Sequence, residues 1–407
     1  MPGLSQRAIN IPASPIRKLV PYADAAKSRG THVYHLNIGQ PDITTPKAWF
    51  EAINTANLEV LAYSHSAGIP ALRKAIQRYY GRLGYALEVP HINVTTGASE
   101  ALGFVFSSIM NEGDEVIIPE PFYANYNSFS LGVDAKVVPL TTHIEDDFAL
   151  PAPEAFAEKI TARTKAILIC NPGNPTGILY PKEALRKLAD IAKEHNLFLI
   201  ADEVYREFTY GEEKHTSILS FEDLHDQAVV IDSVSKRFSA CGARIGCIIS
   251  RNEALMGAVL KFSQARLCSP TLGQIGATAV YDLPNTFYEE VKAEYKHRKD
   301  ILLRSLKGIP GVQCPEINGA FYAIVRLPVK DSEHFCKWML EAFSYEGATV
   351  MMAPAAGFYA TAGLGKDEVR IAYVLKEGDL KTAMVCLEEG LAAYPADRKK
   401  EVESVQL

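Results

Sequence analysis

The middle of the chain alternates short apolar runs with stretches whose apolar positions recur every three or four residues. The runs at 115–119, 135–139, 166–170, 198–202, 229–233 and 243–250 are nearly continuous rather than alternating, the pattern of strands buried on both faces. Between them lie helical patterns, such as 100–110 and 182–195. In the second of these, Leu185, Leu188, Ala189 and Ala192 fall on one face. Strand–helix alternation predicts an α/β fold with a mostly parallel, doubly covered sheet in a large domain. After Leu283-Pro284-Asn285 the texture changes, and a long charged helix over 287–307 is expected to lead into a smaller α/β domain. The expected division is a large domain over 45–285 and a small one built from 1–44 and 286–407.

Composition narrows the class. With 407 residues, 48% apolar and 22% charged, the chain has ample material for a large core. A net charge of -6 without a long basic run argues against a nucleic-acid partner. No stretch reaches the length of uncharged apolar chain that a membrane span needs. The first twelve residues lack the apolar centre of a signal peptide. The seven cysteines are scattered without a Cys-x-x-Cys pair. They read as small buried hydrophobes in a reducing compartment, so a cytoplasmic location is expected. No His-Glu-x-x-His or paired Cys/His spacing suggests a metal.

The chemistry concentrates where strands are expected to end. The run Val229 to Ser233 passes into Val234-Ser235-Lys236, and Arg244 follows eight residues after the lysine. A lysine just past a strand end can face a cleft, where desolvation and nearby cations lower its pKa and make its amine nucleophilic. Ser233, Ser235 and Arg244 would together suit a phosphate. By itself this segment is more often a solvated turn. The loop Asn171-Pro172-Gly173-Asn174-Pro175-Thr176-Gly177 is dense in turn formers. It aims the Asn174 amide at a ligand oxygen or is a plain connection, and its Asn174–Pro175 bond is open to a cis geometry. The run ending in Asp202-Glu203-Val204-Tyr205 puts an acid and a tyrosine at a strand's carboxyl end, where open α/β sheets bind ligands. Asp202 as a helix N-cap is the competing explanation. Gly97, Ala98 and Ser99 open a helix whose N-terminal N–H groups could hold an anion. Tyr123, just past another strand, could stack on a planar ring or belong to the core.

In a doubly wound sheet these strand ends share one crevice. An amine, an acid, oxygen donors, an aromatic ring and a phosphate cradle together match the needs of pyridoxal 5'-phosphate (PLP). The chain resembles the class I (fold type I) PLP-dependent aminotransferases, and within them the aspartate-aminotransferase-like members. The resemblance runs from Asn37-Ile38-Gly39-Gln40-Pro41-Asp42 to Val369-Arg370-Ile371-Ala372. It rests on Asn-Pro-x-Asn-Pro-Thr-Gly, Asp-Glu-x-Tyr and Ser-x-Ser-Lys with Arg244, in this order and spacing. The resemblance implies that Lys236 carries the cofactor as a Schiff base and shuttles the proton. It also implies that Asp202 keeps the pyridine nitrogen protonated, that Asn174 and Tyr205 bond the phenolic oxygen, and that Tyr123 stacks on the ring. Gly97, Ala98, Ser99, Ser233, Ser235 and Arg244 would surround the phosphate, with Tyr63 reaching it across a homodimer interface. Arg370 would take the substrate α-carboxylate, beside Asn174, with Gly39 closing through its backbone. The implied reaction moves an amino group between an L-amino acid and a 2-oxo acid by ping-pong kinetics.

The substrate is harder to read. In one bacterial subgroup of aspartate enzymes a lysine stands at the position of Ser99, and this chain departs from that pattern. Arg266 is the substitute candidate, in the region where another subgroup carries an arginine contributed by the partner subunit. A helix-end surface cation is an equal explanation of Arg266. Aspartate or glutamate is the favoured substrate type. The alternatives are another PLP reaction on the same fold, such as a C–S β-lyase, a Ser-x-x-Lys hydrolase read from Ser233 and Lys236, and a non-enzymatic binding protein on the same scaffold.

Overall fold

The computed structural model describes residues 2–395. Met1 and 396–407, the last part of the expected small-domain segment, lie outside the described residues. In chain order the strands are β1 (His32–His35), β2 (Ile92–Thr95), β3 (Glu115–Glu120), β4 (Lys136–Thr141), β5 (Thr164–Cys170), β6 (Phe198–Asp202), β7 (Ala228–Ser233), β8 (Gly246–Ile249), β9 (Tyr322–Arg326), β10 (Ala348–Met351), β11 (Ala353–Pro354) and β12 (Glu368–Ala372).

A seven-stranded sheet has the order β2-β8-β7-β6-β5-β3-β4. Only β8 runs against its neighbours, pairing antiparallel with both β2 and β7. The start of β8 therefore lies at the same sheet edge as the carboxyl ends of β2, β5, β6 and β7. The apolar runs are continuous because each strand feeds two cores in alternation. Val229 and Ile231 of β7 pack with Leu102, Val105, Phe106 and Val259 on one face. Val230, between them, packs on the other face with Leu185, Leu188 and Ala277.

A third core gathers residues from both ends of the chain. Here β9 lies between β12 and its own turn to Gln313, while β11 pairs with the other side of β12. The pair β1–β10 is parallel, so the amino-terminal segment is stitched to the carboxyl-terminal third. The helix Asn285–Lys307 runs along this core through Val291, Tyr295, Ile301, Leu302 and Leu306.

Two differences from the sequence reading bear on the site. The strand expected over 243–250 begins only at Gly246. Cys241–Ala243 form a 3-10 turn and Arg244 is left-handed, with φ 56°. Ala243 and Ile245 look like strand residues, but the chain must first turn Arg244 back over the sheet edge. The short strands β1 and β9 to β12 lay in segments with no clear period, and sequence patterning did not reveal them.

Candidate active site

Each chemistry-bearing loop leaves the sheet at this one edge. β7 ends at Ser233, which caps a single helical turn, Val234–Arg237, by accepting the Ser235 N–H at 3.1 Å. That turn aims Lys236 across the edge, where its Nζ donates to the Gly39 carbonyl at 2.7 Å. β5 ends at Cys170, directly opposite Asp202 at the end of β6. Beyond β5, the 171–177 loop carries cis bonds at Asn171–Pro172 and Asn174–Pro175, and Asn174 is buried.

These pieces enclose a cavity of ≈ 340 Å³. Its lining includes Gly39, Ala98, Ser99, Tyr123, Asn174, Asp202, Tyr205, Ser233, Ser235, Lys236, Arg244 and Arg370. Twelve of the sequence-selected residues thus share one space.

One end of the cavity is built from the start of the helix Gly97–Ile109, the two serines and Arg244. Gly97 sits behind this end with φ +78°, and a Cβ there would lie 2.3 Å from an Arg244 guanidinium nitrogen. The Ser233 hydroxyl lies 2.8 Å from that of Ser235 and 2.9 Å from the Ile245 carbonyl. Helix N–H groups, hydroxyls and a guanidinium form a donor set suited to a phosphate monoester.

Asp202 is at the opposite chemical extreme. Its Oδ2 accepts the Tyr126 phenol at 2.9 Å and its Oδ1 accepts the Val204 N–H at 3.4 Å. Burial pushes its carboxyl up to about 6, against the pull of those hydrogen bonds. A buried acid of this kind is best satisfied by a cation, as a protonated ring nitrogen would be. Tyr205 and Asn174 lie 3.4 Å apart, amide to phenol, and Tyr205 also shares a hydrogen bond with Tyr322 at 3.0 Å. Burial holds the Tyr205 phenol well above its usual range, so it stays a donor. An anion cradle, an acid, two oxygen ligands and an amine in one cavity fit PLP.

Arg370 lies on β12, which the amino-terminal segment reaches through Leu36. Its Nη1 donates to Asn174 Oδ1 at 3.1 Å and its Nη2 to the Asn37 carbonyl at 2.5 Å. Its Nε is buried without a hydrogen-bond partner. The guanidinium is sandwiched against the rings of Tyr322, 4.5 Å away, and Phe358, 4.9 Å away. Burial lowers its pKa from the usual arginine value. A buried guanidinium with an unpartnered donor, lining the same cavity as a lysine, is chemically suited to a carboxylate.

Gly39 is fixed by close approach. A Cβ there would lie 1.7 Å from the Tyr322 hydroxyl. Sequence reading missed Tyr126 and Tyr322, as well as Ser14, Ile16, Arg17, Gln40, Leu102, Asn125 and Cys241, which also line or support the cavity. Tyr126 lies six residues past β3 and was detectable only from its spacing to Tyr123.

Two selected residues lie elsewhere. Tyr63 is 79% exposed and does not touch the cavity of its own chain. Arg266 is not an open surface cation. It pairs with Glu100 at 3.1 Å and donates to Thr96, Ser269 and the Ser66 and Val94 carbonyls. Glu100 in turn caps the same helix start by accepting the Thr96 N–H at 2.7 Å. Arg266 is thereby committed within its own subunit, and a role in reading substrate would require those bonds to break.

The profile of the class I and II aminotransferases matches residues 31–386. An aspartate aminotransferase of Pyrococcus horikoshii is 33% identical over 95% of this chain and 97% of its own. An aspartate aminotransferase of Bacillus subtilis is 32% identical, again over 95% of this chain and 97% of its own. Among solved structures, a single mutant of Thermus thermophilus aspartate aminotransferase superposes with a TM-score of 0.88 at 29% identity, covering 96% of this chain and 100% of that one. An alanine aminotransferase from Pyrococcus furiosus gives 0.87 at 30% identity with the same coverage. The chain belongs to the class I and II aminotransferases and is a PLP-dependent transaminase.

Proposed function

We propose that the enzyme exchanges amino groups between an aspartate- or glutamate-type L-amino acid and a 2-oxo acid, in two half-reactions. The reading is carried by the Lys236 amine and the buried, part-open Arg370 guanidinium facing one cavity. PLP, when bound, supplies a carbonyl carbon for amine exchange and a ring that draws electrons from the substrate.

The protein's own residues do the rest. Arg370, held by Asn174 and the Asn37 carbonyl, takes the α-carboxylate and fixes which Cα bond faces Lys236. Lys236 is assigned the proton at Cα, first as base and then as acid. Asp202 would hold a positive charge at the ring nitrogen. Asn174 and Tyr205 would hold the ring oxygen, and Tyr123 would pack on the ring. Gly97, Ala98, Ser99, Ser233, Ser235 and Arg244 would surround the phosphate.

A homodimer with shared sites is part of the same proposal, with Tyr63 assigned to the phosphate of the other subunit. In its support, Tyr63 stands in a segment that also exposes Leu58, Val60 and Leu61, apolar area a second copy would cover. The division at 44/45 and 285/286 is supported by a core drawn mostly from residues 19–36 and 291–394, which also takes in Val204, Tyr205, Phe208 and Tyr210, and a cytoplasmic setting by the seven free cysteines.

The test is a panel of amino donors against 2-oxoglutarate and oxaloacetate, with products identified and the cofactor spectrum followed. Aspartate or glutamate should convert with the highest kcat/KM and yield a 2-oxo acid plus a new amino acid. Ammonia release in place of a new amino acid would overturn the transfer reading, and preference for alanine or aromatic donors would overturn the substrate class.

A further inference from the structure

The amino-terminal segment contributes a cation that the sequence reading did not select. Ser14, Ile16 and Arg17 line the same cavity as Lys236 and Arg370. The neighbouring cation, Lys18, is turned away and pairs with Glu333 at 2.5 Å. Arg17 is exposed at the cavity's mouth, and its side chain makes no hydrogen bond or ion pair among the described residues.

Its position is tied to that of Arg370. The Asn37 amide donates to the Ile16 carbonyl at 2.8 Å, and the Asn37 carbonyl accepts from Arg370 at 2.5 Å. Asn37 is fully buried, so one rigid residue sets the backbone beside Arg17 and the guanidinium of Arg370 together. Tyr123 lines the same cavity; burial pushes its phenol up to about 12, and both guanidinium groups pull it weakly the other way. Apart from Arg244 at the phosphate end, the cavity thus holds two further guanidinium groups; with Arg370 assigned to an α-carboxylate, the pair is complementary to a ligand with two carboxylates.

We infer that Arg17 reads the distal carboxylate of a dicarboxylic substrate, from within the same subunit. The inference rests on the dicarboxylate reading above and replaces Arg266 in that role, since Arg266 is committed to Glu100. Arg17 is a specificity residue. It takes no part in proton transfer.

The experiment compares wild-type holoenzyme with Arg17→Gln and Arg17→Lys. The first readout is the ratio of kcat/KM for glutamate to that for alanine. The second, independent of turnover, is the dissociation constant of succinate, a non-reacting dicarboxylate, by calorimetry. Arg17→Gln should lower the ratio and weaken succinate by roughly 10- to 100-fold, the worth of a charge-assisted hydrogen-bonded contact. Arg17→Lys should recover part of both, because it keeps the charge and loses the fork. An unchanged ratio in Arg17→Gln, with succinate binding intact, overturns the inference while leaving the substrate class standing. A wild-type enzyme without preference for glutamate over alanine instead overturns the substrate class itself.

Discussion

The Tyr126 phenol donates to Asp202 Oδ2 at 2.9 Å, and both side chains are buried. Burial and the adjacent carboxylate push the phenol well above its usual range, so it remains a donor at every working pH. The bond stabilises the ionised form of Asp202, opposing the desolvation that raises it. Tyr126→Phe removes the donor without opening much space. Asp202 should then stay protonated to higher pH, and the acid limb of the kcat/KM profile should move up by about one pH unit. A profile that does not move would show that Tyr126 has no hold on the charge.

The same carboxyl makes the cofactor-free chain sensitive to pH. Its folded value, about 6, lies above the ordinary aspartate value, so the folded state favours the protonated form. That contribution is complete below about pH 4 and is lost as pH rises through about 6, up to roughly 3 kcal/mol. Urea unfolding of cofactor-free wild type and Asp202→Asn, compared from pH 4 to 8, should give a difference that grows in favour of the variant across this window. Glu203, pushed up to about 7 by burial, follows the same sign in both proteins and cancels from the difference. A difference independent of pH would place the Asp202 shift elsewhere.

Lys236 carries the sharpest expectation about turnover. Among the described residues its Nζ makes one hydrogen bond, to the Gly39 carbonyl at 2.7 Å. Lys236→Ala should lower transamination by at least about 10³-fold, in line with loss of a positioned acid–base group. It should also lose the visible absorbance of a lysine-bound cofactor. An active, coloured variant would refute the assignment.

The legible parts of the fold and site are those whose signal is local. Val229–Val230–Ile231 announces a strand buried on both faces because every position is apolar, and it is. Asn174, Asp202 and Lys236 were found because each follows such a run directly, and a parallel sheet sends all those ends to one edge. Arg244 was found for its type and spacing, yet its strand was started too early, since a left-handed residue leaves no hydrophobic mark. Tyr126, Tyr322 and Arg17 were missed for another reason. Each enters the site through tertiary packing: Tyr126 from a helix, Tyr322 from the start of β9, and Arg17 from a segment pinned by Asn37. For Arg266 the sequence leaves a substrate-reading cation and a helix-end surface cation as equal explanations, because nothing local marks its pairing with Glu100 across the fold.

The residue after the lysine is as constrained as the lysine itself. Arg237 Nη2 reaches both oxygens of Asp232, at 2.6 and 2.7 Å, with both side chains 0% exposed. The Tyr80 phenol adds a third bond to the same carboxylate at 2.9 Å, and the Arg237 guanidinium lies 4.5 Å from the centre of the Tyr79 ring. This pair anchors the single helical turn that points Lys236 into the cavity. Arg237→Leu keeps much of the volume but leaves Asp232 a buried carboxylate with only its remaining hydrogen bonds. Removing one partner of a buried ion pair costs about 3–5 kcal/mol. The urea midpoint should fall accordingly, and PLP should be held less tightly in the protein that still folds, because the turn carrying Lys236 loses its anchor. A loss below about 1 kcal/mol would mean that Tyr80 and the backbone suffice to hold Asp232, and that the lysine is positioned by β7 alone.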